Sequence, residues 1–172
     1  MSQLKENPWN FTSADVLTAT PSASPSGLIS SAGGVVLLTT GSAHGFVANN
    51  FITIIGATNA AYNGFYKVID VPTTTTAHLF SQALQNSSTV LAASGGGTAI
   101  LNQYVQMIRA EDVYWLNAAA ANDEVILLTR NGVTIWDAIA PTKGTYSRSK
   151  PFWVQGLSIQ QISSGTVEIV IN

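Results

Sequence analysis

The sequence predicts an all-β protein, with a β-sandwich or jelly-roll-like domain and a second, small β-barrel or sandwich module. Apolar and polar residues alternate over short runs, as they do in half-buried strands. Turn residues separate these runs at intervals of about 8–12 residues, which is typical of sandwiches and barrels. No long run has a persuasive helical period.

Three parts are predicted along the chain: an N-terminal arm and linker at 1–27, a small β-module at 28–101 and a β-sandwich domain at 102–172. The prolines in TPSASPSG mark the linker. The arm has two open interpretations. It is either a short helix capped by Thr12 or Ser13, or an extended segment whose aromatic residues anchor on the core or on a neighbour. The arm is also a candidate to complete the sandwich.

The module contains several predicted strands. An apolar run at 35–40 predicts a buried strand, NFITIIG and GFYKVIDV predict two more, and AHLF begins another. Asn63-Gly64 is a turn signal, because both residues tolerate positive φ. SGGGT at 94–98 is predicted to be a flexible turn, since it lacks the Gly-Lys-Ser/Thr and the following helix of a phosphate-binding loop.

The clearest local pattern lies in the second half, in EVILLTRNGVTIWDAIA. Two apolar, β-branched runs flank Asn131-Gly132, which predicts a hairpin with a type I′ turn. The NDE that precedes the first run suits a turn into a strand. Two further strands are predicted near the C-terminus, joined at Ser164-Gly165. Alternation in the last strand predicts three core positions, Val167, Ile169 and Ile171.

Charged residues are scarce, at 9% of the chain against roughly 25% in typical soluble domains. Between Val16 and Ile108 the only formal charges are Lys67 and Asp70. Little repulsion therefore opposes close association between copies. The net charge of −2 gives no basic field for nucleic acid, and we expect the cluster in KGTYSRSK to be a solvated loop.

The lack of cysteine excludes disulfides and thiol nucleophiles. The apolar run GGVVLLTTG is shorter than the roughly 20 residues that a membrane span needs, and no signal-like apolar region is found at the N-terminus. We therefore expect no membrane segment.

Few residues could carry chemistry. His44 and His78 have only Asp70 as a nearby carboxylate, so we expect His44 to set a turn or to hydrogen-bond across strands. The pairs at 111–112 and 123–124 are expected to be solvated turns beside arginines, with 122–124 as the place for a calcium ion if one binds. No G-x-S-x-G occurs. We predict no catalytic, metal or cofactor site and no enzymatic activity.

Six short motifs follow one another between residues 44 and 80. They are His44-Gly45-Phe46, Ile52-Thr53-Ile54, Gly56-Ala57, Tyr62-Asn63-Gly64, Tyr66-Lys67-Val68 and Val71-Pro72. In this order, and with the Thr-rich stretch that ends at Phe80, they resemble a module common in virion proteins of tailed bacteriophages. Asn49-Asn50 stands where that module often has Gly-Asp. The second half is similar to the ending of many small phage structural proteins, with a hairpin, a loop, a Gly-Leu strand and a final Ser-Gly-Thr hairpin.

The resemblance implies a structural virion protein, located in the virion after assembly in the host cytoplasm. The favoured role is a capsid decoration or cement subunit that stabilises the head, with the major capsid protein or other virion proteins as partners. A homo-oligomer is expected, with a trimer favoured. The alternatives are a neck or tail component, such as a head–tail connector or a receptor-binding fibre protein, and, with least support, a tail-associated hydrolase.

Aromatic residues and an arginine near predicted loops are the candidates for contact with a partner, because such residues dominate interface energies. The predicted interface residues are Trp9, Phe11, Tyr146, Arg148 and Phe152. A glycan site is a weaker possibility at Tyr62 and Asn63.

Overall fold

The computed structural model describes residues 9–23, 26–85, 89–148 and 150–171. It is 58% strand and 6% helix, which confirms the all-β prediction, and it is consistent with a β-sandwich domain. The chain forms two compact units. The terminal unit comprises 1–16, 103–129 and 133–172, and the middle unit comprises 17–102 and 130–132.

The strands of the described residues run in chain order as follows: β1 Trp9–Thr12, β2 Thr18–Ala19, β3 Leu28–Ser30, β4 Val35–Thr39, β5 Phe51–Ile55, β6 Gly64–Thr73, β7 Thr76–Phe80, β8 Thr98–Ala118, β9 Glu124–Leu128, β10 Thr134–Ile139, β11 Gly144–Arg148, β12 Phe152–Ile162 and β13 Thr166–Ile171. A single α-helical turn, α1, spans Gln82–Gln85, and 3-10 turns span Ser13–Asp15 and Ala60–Tyr62. Within the described residues, no helix is long and apolar enough to cross a membrane.

The middle unit is an antiparallel sheet in the order β8-β5-β6-β7-β4-β3, with β2 also paired to β8. Alternation places one set of side chains in a core that contains Ile52, Ile54, Val68 and Leu79, all fully buried. The unit starts at Leu17 rather than at residue 28, because the short strand β2, just before the predicted linker, pairs with the start of β8.

Two buried tyrosines hold the core of the middle unit together. The Tyr62 hydroxyl accepts a hydrogen bond from the Ser30 N–H at 3.0 Å, and the Tyr66 hydroxyl donates to the Tyr62 carbonyl at 2.8 Å. Burial, with a smaller contribution from Tyr62, raises the pKa of Tyr66 well above its ordinary value. Asn63, predicted to be part of a turn, lies between the 3-10 turn and β6 with φ of −68°. The turn therefore precedes the Asn-Gly pair.

The terminal unit is also antiparallel, in the order β10-β9-β12-β8, with β11 and β13 paired to β8 and β1 paired to β13. Its core surrounds the fully buried Trp115 and includes the predicted positions Val167 and Ile169, whereas Ile171 is only partly buried. Phe11 lies opposite Val167 in the β1–β13 pair, so the arm is extended and completes this sheet. Both interpretations of the arm apply in part, because Thr12 also caps the 3-10 turn with a capping box to Asp15.

The predicted hairpin at Asn131-Gly132 is present as the pair β9–β10. Its turn is not of type I′, which needs positive φ at both central residues. Gly132 has φ of 77°, but Asn131 is not among the residues with positive φ. The register shifts between Thr134 and Trp136, so the hairpin contains a bulge close to its turn.

The NDE segment forms the predicted turn into β9, and Asp123 organises it. Its Oδ2 accepts hydrogen bonds from the Ala119 and Ala120 N–H groups at 3.0 and 2.9 Å, and from the Ser164 hydroxyl. The Ser164 bond is the largest cause that lowers the pKa of Asp123, with the Ala120 and Ala119 bonds adding to it against an opposing effect of burial.

We expect the free energy of unfolding of Tyr66→Phe to fall less than that of the wild type as pH becomes alkaline. The pKa of Tyr66 is higher in the folded than in the unfolded state, so its neutral hydroxyl stabilises the fold. This stabilisation is fully present below the unfolded pKa of about 10 and is lost as pH rises beyond it. At pH 8 the variant is expected to lose about 1 kcal/mol with the hydrogen bond to Tyr62. Urea denaturation at pH 8 and pH 10.5 measures both effects. Tyr104→Phe, at an exposed position, is the control, and equal alkaline sensitivity of both variants would contradict the expectation.

We expect Asp123→Asn to have a lower urea midpoint of unfolding than the wild type at neutral pH. The difference between the two midpoints is expected to become smaller in acid. The pKa of Asp123 is lowered in the folded state, so its contribution is present above the unfolded pKa of about 3.9 and is lost as pH falls below it. Denaturation curves at pH 7, 4 and 3 provide the measurement. The exposed Asp137→Asn serves as the control, and a gap that is unchanged at pH 3 would count against the hydrogen-bonded role.

Candidate binding groove

Strands β5, β6 and β7 place aromatic side chains on the face of the sheet opposite the core. Phe51 lies opposite Lys67 across β5–β6, and Lys67 lies opposite Phe80 across β6–β7. Phe65 lies opposite Thr53 in the same register. Because residues directly opposite each other share a face, three phenylalanines and a lysine lie on this outer face.

The segment Arg130, Asn131 and Gly132 covers part of this face within the middle unit. The Thr53 hydroxyl donates to the Arg130 carbonyl at 2.7 Å and accepts from the Asn102 amide at 2.9 Å. Gly132 is close enough that a Cβ there would lie 2.4 Å from a methyl group of Ile55. Thr53 is consequently fully buried although it points away from the core.

The guanidinium of Arg130 lies over the ring of Phe65, with its carbon 5.2 Å from the ring centroid. Phe65 in turn stacks on Phe51, with centroids 5.3 Å apart and planes 8° from parallel. The Nε atom of Arg130 is buried and has no hydrogen-bond partner within the described part of the chain. A cation over an aromatic ring is attracted by the ring quadrupole, so this contact holds the guanidinium in place.

These side chains line a groove of about 460 Å³, which we call the aromatic groove. Its volume falls in the range of about 300–1,000 Å³ that is typical of ligand sites. The floor contains Phe51, Phe65 and Phe80. The remaining lining residues are Ala61, Asn63, Gly64, Tyr66, Lys67, Ser81, Gln82, Ala83, Leu84, Arg130 and Asn131. None of the lining residues is acidic, so the groove combines an apolar floor with two cations.

His44 lies outside this groove and has a local structural role. Its Nδ1 accepts a hydrogen bond from the Phe46 N–H at 3.0 Å, a local bond within the loop that precedes β5. This bond requires an unprotonated Nδ1, so the neutral ring carries its proton on Nε2. That Nε2 is buried and has no partner among the described residues.

Three residues of the module were considered for chemistry: His44, Asp70 and His78. Among the described residues, Asp70 and His78 are the only two of them in contact with each other. They lie opposite each other across β6–β7, with Asp70 Oδ1 2.6 Å from His78 Nδ1, and both side chains are substantially exposed. Across the described ranges, no group of three or more His, Cys, Asp or Glu residues is placed to hold a metal ion. Asp70 and His78 therefore form an isolated polar contact on the surface of the sheet.

The acidic pairs of the second half do not converge either. Glu111 and Asp112 lie within β8 rather than in the predicted solvated turn, and Glu111 pairs with Arg109 at 2.7 Å. The strand continues through them because its partner β13 pairs with residues on both sides. Asp123, at the position considered for calcium, uses Oδ2 to hold its own turn.

The predicted interface residues of the arm lie in or on the terminal unit. Phe11 is 8% exposed and belongs to the core, so it anchors on the core rather than on a neighbour. Trp9 is half-buried and stacks on Tyr104, with ring centroids 3.6 Å apart.

The three other predicted interface residues are half-buried in the same unit. The Tyr146 hydroxyl donates to the Thr142 carbonyl at 2.5 Å. Arg148 lies 4.2 Å from the ring centroid of Phe152 and donates to the Ile135 carbonyl. Trp153, next to Phe152, is 67% exposed and was not among the predicted interface residues. Alternation along β12 is the signal that separates Trp153 from its buried neighbour Val154.

Sequence reasoning did not identify the aromatic groove. The alternation of Phe51 with Ile52 and of Phe65 with Tyr66 indicated that these strands have two apolar faces. No pattern in the sequence indicated that Arg130, distant in the chain, lies on the outer one. Tyr62, the weak candidate for a glycan site, is fully buried, and only its neighbour Asn63 reaches the groove.

Comparison of the chain with protein-family models, with curated proteins and with solved structures finds no match.

Proposed function

We propose that the chain is a structural protein of a tailed-bacteriophage virion, with a capsid decoration or cement subunit as the specific role. The observation that carries the proposal is the charge-poor surface of a chain that is mostly β-strand. In the middle unit between Leu17 and Asn102 the only formal charges are Lys67 and Asp70. A surface made of Ser, Thr, Asn, Ala and apolar groups costs less to desolvate than a charged one, because unpaired charges are the most expensive groups to bury.

Exposed apolar side chains add to this surface. Single exposed hydrophobic residues are ordinary, but here few charges surround them. In the middle unit the large ones are Ile29, Val47, Ile69 and Val90. In the terminal unit they are Tyr104, Met107, Val133, Ile139 and Trp153. Interfaces of about 1,600 Å² built from such surfaces become stable when many copies bind together.

The phage-like motif residues also support the proposal through the role that they have in the fold. Phe46, Tyr62, Tyr66 and Val68 are all buried in the middle unit, and His44 holds the loop that leads to Phe46. The resembling stretch thus contributes β5, β6 and β7 to the middle unit, and its motif residues have structural roles in the core.

A neck or tail component is the alternative within the same class. It relies on the same charge-poor surface, so the surface does not distinguish the two. Symmetry does: a ring at the neck has roughly 6 or 12 copies, whereas a decoration protein has on the order of hundreds.

Quantitative mass spectrometry of purified virions of the phage that encodes this chain tests the proposal. We expect hundreds of copies per particle. A low count matching a ring would replace the decoration role by the neck or tail role. Complete absence from washed particles would overturn the virion proposal itself.

Rebinding supplies an independent measurement. Heads that lack the protein are mixed with the purified chain and separated by sedimentation. We expect the chain to co-sediment at a saturating ratio set by the symmetry of the shell. If the chain stays in the supernatant, and light scattering shows a monomer at all concentrations, the assembly role is wrong.

A further inference from the structure

We propose that the aromatic groove binds a short segment of a partner protein in which an aromatic side chain is followed by a carboxylate. The inference rests on the proposed function, since it names the chemistry by which an assembly protein would hold its partner. The occupant is identified by two features of the groove, its apolar floor and its unneutralised positive charge.

The floor is suited to an aromatic or large apolar side chain. Phe51 and Phe65 are already stacked, and Phe80 lies on the same face, on the other side of Lys67 from Phe51. All three are half-buried before any ligand is present, so little rotamer freedom is lost on binding. Aromatic residues in such pre-formed pockets dominate the energetics of protein interfaces.

The charge is suited to a carboxylate. Neither Lys67 nor Arg130 makes an ion pair with any described residue, and no acidic residue lines the groove. Asp70, the acidic residue nearest in sequence to Lys67, is engaged by His78. Arg130 is partly buried and its guanidinium is held over Phe65, which makes it the more ordered of the two cations and the stronger site for a charge-assisted hydrogen bond.

The lining argues against a saccharide as the occupant. A sugar needs hydrogen-bond partners for many hydroxyl groups. The three phenylalanine side chains of the floor have no polar atoms and supply none. The amides at the rim are already partly used, since Asn63 Oδ1 accepts from the Ala57 N–H at 2.9 Å and Gln82 Nε2 donates to Gln85 Oε1 at 2.6 Å. These bonds hold the rim in place rather than leaving it open to a hydroxyl-rich ligand.

The charge count argues against a nucleic acid. Strands of DNA or RNA are held by rows of cations along their phosphates, and the groove has two cations on a chain of net charge −2. A ligand with one carboxylate next to one aromatic ring would contact both the aromatic floor and the cations of the groove. It would not need more than these two cations.

The test uses isotope-labelled full-length protein and a blocked tetrapeptide of alternating phenylalanine and aspartate, followed by NMR. We expect amide shifts that map to the groove residues and that saturate. A matched tetrapeptide with lysine in place of aspartate is expected to bind at least tenfold more weakly, because one charge-assisted hydrogen bond is worth about that factor. Equal binding of the two peptides would overturn the proposal.

Variants identify the groups that bind. Lys67→Glu changes an exposed side chain, and we expect it to weaken the aspartate peptide by roughly tenfold and to strengthen the lysine peptide. Arg130→Gln is expected to weaken the aspartate peptide by at least the same factor. Lys143→Glu, an exposed cation of the terminal unit, is the matched control and is expected to change nothing. Thermal melting of each variant verifies that it is folded.

Glucuronic acid and a short thymidine oligonucleotide are titrated in parallel. Saturable binding of either, at an affinity equal to or above that of the aspartate peptide, would overturn the peptide as occupant. The outcome is separable from the proposed function: virions that contain the Lys67→Glu protein at normal copy number would remove the groove from assembly and leave the virion role intact. Loss of peptide binding together with loss of copies supports both.

Discussion

Strand pairing along β8 is the constraint on which both units depend. This strand runs from Thr98 to Ala118, and its first residues pair with β2 and β5 while its later residues pair with β11 and β13. A chain with so few charges has little else to give its segments a defined register. Backbone hydrogen bonds must be satisfied, and the alternation of side chains then decides which face is buried. The cores of both units follow from that register, with Ala99 in one and Val113 and Trp115 in the other.

The same alternation explains how much of the fold could be predicted from the sequence. Strands β4, β5 and β6 and the hairpin β9–β10 follow local patterns, so the sequence contains them. The turn geometry at Asn131 and the start of the middle unit at Leu17 do not. Both involve contacts between distant segments: the hydrogen bond from Thr53 to the Arg130 carbonyl in one case, and the β2–β8 pair in the other. Local preference is a weak guide wherever such long-range pairing competes with it.

The site was less predictable than the fold, for a related reason. Period-two alternation places Phe51 and Phe65 on one face, but it does not show whether that face is covered. The answer lies in a hydrogen bond from Thr53 to the Arg130 carbonyl, between residues that are 77 positions apart. The residues first considered for partner contact, such as Phe11, instead pack within the terminal unit. Aromatic residues indicate burial of some kind, and only the structure separates a core from a pre-formed surface site.

The middle unit is not one uninterrupted stretch of chain. Arg130 to Gly132 belongs to it, although β8 and β9 intervene in sequence. A gene fragment that ends at Asn102 would encode the sheet without the segment that covers Thr53 and carries the second cation of the groove. Recombination that moves such a module between genomes as a continuous cassette would therefore transfer the scaffold and leave part of the groove behind. A recipient protein would have to supply an equivalent loop, so the groove can be gained or lost between descendants while the module itself persists.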